Sequence, residues 1–156
     1  MIYYISIGII LSVIIGFFVL SIFEKKRFRD IKQGIIEKLS TYGNVFVVDG
    51  KTMFSFQDKQ VEVLFFTLKS TEELVINSRV MWEVFRLNKA MLYDQTEFLK
   101  SEDQKWIIIY PSISRIKRFI NENEMVFVKA FDQVYDYQLI LHIELEDYLE
   151  DLKHGI

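Results

Sequence analysis

The chain contains no cysteine. That excludes a disulfide framework, thiolate metal sites, iron–sulfur clusters, a lipidated cysteine anchor and a cysteine nucleophile. Histidine is nearly as scarce: only His142 and His154 occur, too few for an ordinary zinc centre. Proline appears once, at Pro111, and the six glycines are scattered as Gly8, Gly16, Gly34, Gly43, Gly50 and Gly155. They cannot form a glycine-rich phosphate loop, and no Gly/Ser/Pro-rich linker divides the chain. A Gly-x-Ser-x-Gly elbow is also missing. Nothing in the sequence points to a bound cofactor.

What is present is apolar and aromatic. Of 156 residues, 51% are hydrophobic and 15% aromatic, enough to build the core of one domain of ordinary size and too much for a disordered chain. The apolar residues are concentrated at the start. Ile2 to Phe23 carries no charged side chain, and as a helix it would rise roughly 33 Å, which predicts a transmembrane anchor. A cleaved signal peptide fits less well, because no Lys or Arg precedes the run and Leu20-Ser21-Ile22-Phe23 is a poor cleavage site. Lys25, Lys26, Arg27, Arg29 and Lys32 follow the run. Basic residues resist translocation, so the expected placement is a single pass in the cell membrane with the C-terminal part in the cytoplasm.

The partners expected from these features are lipid and, through the anchor, another helix. Gly8, Ser12 and Gly16 recur every four residues on one helix face, a pattern that allows close helix–helix approach and self-association or docking of a protein partner. Lys25, Lys26, Arg27 and Arg29 can meet anionic headgroups or serve only as a stop-transfer signal. Outside the basic run the chain carries an excess of acidic side chains, so no nucleic-acid partner is expected.

The pattern divides the chain into an anchor at 1–23, a juxtamembrane helix at 24–43 and a folded part at 44–156. Phe28, Ile31, Ile35, Leu39 and Tyr42 follow a three-to-four spacing and predict an amphipathic helix ended by a left-handed Gly43. Asp49-Gly50-Lys51 between Val45–Val48 and Thr52–Phe56 predicts a hairpin. Gln57–Gln60 turns into a third, central strand over Val61–Leu68. Leu74–Ile76 and Val80–Phe85 read as strands, 89–100 as weakly helical and Lys105–Tyr110 as a buried strand. Ile113, Ile116, Phe119 and Ile120 predict a helix, giving a strand–helix–strand unit with Met125–Val128. Tyr137–Ile143 reads as a strand and Glu144–Lys153 as an acidic terminal helix. The expected class is α+β: an N-terminal transmembrane helix, then a small mixed-sheet domain with flanking helices.

Helix, three-strand meander, then a further strand is an order that resembles the PD-(D/E)XK nuclease-like fold, including membrane-anchored nuclease-related (NERD-like) domains. The resemblance covers residues 25–130 in element order. It implies a divalent metal held by acids near the second and third strands, with a lysine two positions after the second acid. The matching acids are Asp49 or Asp58 and then Glu62. Leu64 occupies the lysine position, so the motif reads Glu62-Val63-Leu64 and is broken.

Each candidate also has a plainer reading. Asp49 and Asp58 are ordinary turn residues, and Glu62 can pair across strands with Lys51. His142-Ile143-Glu144 could form a carboxylate-oriented base or be a satisfied strand histidine. Arg115, Lys117 and Arg118 form a small basic patch on the expected helix. Phe54, Phe56, Phe65 and Phe66 are core rather than a base-stacking platform. Asn121, Glu122, Asn123 and Glu124 form a turn that could serve as a contact edge. The expected function is a membrane-anchored, non-catalytic binding or scaffold module; the alternative is a divergent metal-dependent phosphodiesterase using Asp49, Asp58 and Glu62.

Overall fold

The computed structural model describes residues 2–87, 89–111, 115–121, 124–129 and 132–154, without the side chains of 2–9 and 121. One long helix, α1 (Ile2–Tyr42), leads into β1 (Asn44–Val48), β2 (Lys51–Phe56) and β3 (Lys59–Leu68). Then come β4 (Glu72–Ile76), β5 (Met81–Arg86), β6 (Lys89–Asp94) and β7 (Gln104–Pro111). The chain continues through β8 (Ile116–Asn121), β9 (Glu124–Phe127), β10 (Gln133–Val134), β11 (Tyr137–Leu141) and α2 (Leu145–His154).

The strands form two sheets. The first has the order β1-β2-β3-β7-β11-β10, and the second β6-β5-β4-β8-β9. In the first, β1, β2 and β3 make an antiparallel meander, while β7 lies parallel to both β3 and β11. The class is mixed α+β, as expected.

Alternation along the strands sorts side chains into two cores. Trp106, Ile108 and Tyr110 of β7 point to one side of the first sheet, with Val61 and Val63 of β3. There they meet Ile35 and Leu39 of α1 and Leu145 and Leu149 of α2. Ile107 and Ile109 point to the other side, with Phe66 and Leu68, and meet Leu74, Ile76, Trp82 and Val84 of the second sheet. The result is three layers: helices, first sheet, second sheet. A strand covered on both faces must be apolar throughout, which explains the uninterrupted Trp106–Tyr110 run and the mixed pattern of β3.

The expected spacing of the second half of α1 is realised: Phe28, Ile31, Ile35, Leu39 and Tyr42 all belong to the helix-side core. Gly43 ends the helix for a different reason from the one expected. Its φ is not positive; a Cβ there would overlap the carbonyl oxygen of Ser55 and lie 2.9 Å from the Phe54 ring. Close approach of backbone, not a left-handed turn, is what this position requires. The hairpin is as expected, with Asp49 (φ 50°) and Gly50 (φ 78°) in its turn.

Two helices expected from the sequence are strands instead. Residues 89–94 form β6, paired over its whole length with β5. Residues 116–121 form β8, parallel to β4, so the strand–helix–strand unit does not exist. Residues 112–114 lie outside the described residues.

The single-pass placement in the cell membrane, with a cytoplasmic C-terminal domain, is corrected by the structure. Among the described residues no helix is long and apolar enough to cross a membrane.

Candidate functional site

Glu62 sits in the middle of β3, in register with Met53 of β2 and with Lys105 of β7. Both Glu62 (3% exposed) and Lys105 (2% exposed) are buried on the second-sheet side. Charges at such positions persist only when paired. The Lys105 Nζ donates to Glu62 Oε2 and to Ser101 Oγ. Ser101 Oγ donates to the same carboxylate oxygen at 3.0 Å, and Lys51 Nζ reaches it at 3.3 Å. The Lys105 ammonium also lies 5.3 Å from the centroid of the Phe98 ring.

Burial alone would push the Glu62 pKa up. Hydrogen bonds from Lys105, Ser101 and Lys51, with the charge of Lys105, outweigh it and hold the carboxyl below its ordinary range. The group is therefore a fixed carboxylate with two cations on one oxygen. It is suited to locking β2, β3 and β7 together, and poorly suited to accepting a proton or a further cation.

The other acids do not join it. Asp49 is in the β1–β2 turn and Asp58 in the β2–β3 turn, both exposed. These turns lie at opposite ends of β2, roughly 20 Å apart for six strand residues. Among the described residues no group of three or more His, Asp or Glu side chains could hold a metal ion. Leu64, at the broken lysine position, packs against the second-sheet core. A divalent metal of the nuclease type does not fit these residues.

The remaining candidates are also dispersed. His142 has a buried Nδ1 and Glu144 a buried Oε2, neither with a hydrogen-bond partner, so they do not orient each other. Burial lowers the His142 pKa. Lys117 is on a strand and pairs with Glu73 at 2.8 Å. Asn121 and Glu124 face each other across β8 and β9; Glu122 and Asn123 lie outside the described residues. Lys25, Lys26, Arg27 and Arg29 are exposed along α1. On the proposed packing face, Ser12 is exposed and a Cβ at Gly16 would meet nothing within 4 Å. The side-chain surroundings of Gly8 lie outside the described residues.

Two interactions escaped the sequence reading. Lys105 could have been suspected, since a lysine opening an otherwise buried strand needs a carboxylate. The two-pronged contact of Arg79 with Asp136, at 2.8 Å and 2.5 Å, had no local signal. It ties the entry to β5 to the turn before β11.

Comparison with known proteins finds no matching family model, no matching curated protein and no matching solved structure.

Proposed function

We propose that this chain is a non-catalytic binding module attached to lipid by the first half of α1. One observation carries the reading. From Ile10 to Phe23 the large apolar side chains are exposed on every side of the helix, with Phe17 and Phe18 at 70% and 69% and Leu20 at 66%. A helix that is hydrophobic all round calls for an apolar surround, and full burial of each such side chain is worth about 1.5–3 kcal/mol. The exposed Lys25, Lys26, Arg27 and Arg29 follow directly. Near an anionic surface each contributes about 1 kcal/mol, which favours lipid over a purely apolar protein groove. The reading concerns association with lipid; passage through the bilayer is not part of it. The dispersed Asp49 and Asp58, and the saturated Glu62, support a non-catalytic role.

Flotation of the full chain with vesicles is the test. The chain should rise with phosphatidylcholine vesicles and more completely when phosphatidylserine is added. Replacing the four basic residues with glutamine should remove the serine-lipid preference alone. A chain that stays at the bottom of the gradient with both compositions refutes the reading.

A further inference from the structure

At the end of the first sheet where β3, β7 and β11 begin, a cavity of about 170 Å³ opens beneath α2. Its walls are aromatic: Phe54 and Phe56 of β2, Trp106 of β7 and Tyr148 of α2. The Trp106 ring lies 5.4 Å from Phe54 and 5.3 Å from Tyr148, centroid to centroid. Strand register assembles this wall, since Phe54 pairs with Val61, Val61 with Gln104, and Trp106 with Gln138. A dry cavity of about 150 Å³ is large enough to hold benzene, so one six-membered ring fits here.

The rim has a different chemistry. Gln57, Lys59 and Gln104 line it, and the exposed Lys59 ammonium makes no ion pair with a described residue. Gln104, Trp106 and Tyr148 are shared with an adjoining polar cavity of about 150 Å³, which Gln138 also lines. The Gln138 Nε2 is buried with no hydrogen-bond partner. An unmatched buried amide donor is unfavourable, and an oxygen acceptor would relieve it. An aromatic slot, an unpaired cation and an orphaned donor on one side of it describe a single ligand class. We infer that this cavity binds a small aromatic carboxylate, with its ring against Trp106 and its carboxylate toward Lys59 and the glutamines.

The inference is independent of lipid attachment and is tested on the full chain without vesicles. Saturation-transfer NMR with benzoate and with benzyl alcohol separates ring from charge. Benzoate should bind saturably and perturb the emission of Trp106, which lines the cavity, whereas Trp82 is in the other core. Lys59→Met, at an exposed position, should weaken benzoate about tenfold, the value of one charged hydrogen bond, and leave benzyl alcohol unchanged. Gln104→Met should weaken benzoate in the same direction. Absence of saturable benzoate binding, or equal benzoate affinity in wild type and Lys59→Met, overturns the inference.

Discussion

The two halves of α1 share one helix and differ in everything that gives a helix tertiary stability. From Phe28 to Tyr42 the apolar residues fall on one stripe and meet the first sheet and α2. From Ile10 to Phe23 they face all directions and the large ones stay exposed. The charges follow the same division. Lys25 to Arg29 are solvated, whereas Lys105 is enclosed and held by Glu62 and Ser101. Residue chemistry alone therefore does not predict energetic weight; coverage by the three layers does.

The largest effect should come from breaking the enclosed charge. Lys105→Met leaves Glu62 buried beside only Ser101 and the partly exposed Lys51, and loss of one partner of a buried pair costs about 3–5 kcal/mol. Lys25→Met should move stability by less than about 0.5 kcal/mol. Urea unfolding of both variants checks this. Equal midpoints would abolish the contrast.

The same comparison can be made with apolar side chains. Leu39 is fully buried between α1 and the sheet, and Leu39→Ala should destabilise by about 2–5 kcal/mol. Phe17→Ala removes a larger side chain from the exposed half, yet in lipid-free solution it should leave the unfolding midpoint within about 0.5 kcal/mol of wild type. Its effect belongs in vesicle flotation instead. A loss of fold stability in Phe17→Ala would mean that the first half is covered after all.

How far the sequence revealed these regions depends on whether the deciding contacts are local. The stripe from Phe28 to Tyr42 and the Asp49-Gly50 hairpin were legible because spacing and turn chemistry act within a few residues. β6 and β8 were misread as helical. Lys89-Ala90-Met91-Leu92 is rich in helix formers, and Ile116, Phe119 and Ile120 mimic a helical stripe, but pairing with β5 and β4 overrides both tendencies. At the candidate site, Glu62 with Lys51 followed from hairpin register. Lys105 did not, because the parallel pairing of β3 with β7 joins residues 43 apart in the chain. The aromatic cavity depends on the same pairing together with the docking of α2.

The smallest predicted effect is a difference between pH profiles, and it sharpens the contrast between enclosed and solvated charge. Glu62 has a folded pKa below its ordinary value of 4.5. The unfolded state therefore takes up a proton more readily than the folded one in acid. The stabilisation is fully present above the ordinary value and is lost as pH falls through the lower, folded pKa. Glu62→Gln removes this linkage. The stability gap between wild type and Glu62→Gln should thus be level from pH 8 to pH 5.5 and narrow once the pH drops below about 4.5. Chemical denaturation of both proteins across that range measures it. A gap that stays level to pH 3 would show that the carboxylate gains nothing from Lys105, Ser101 and Lys51 beyond what water gives it when unfolded. The enclosed and solvated charges would then be equivalent.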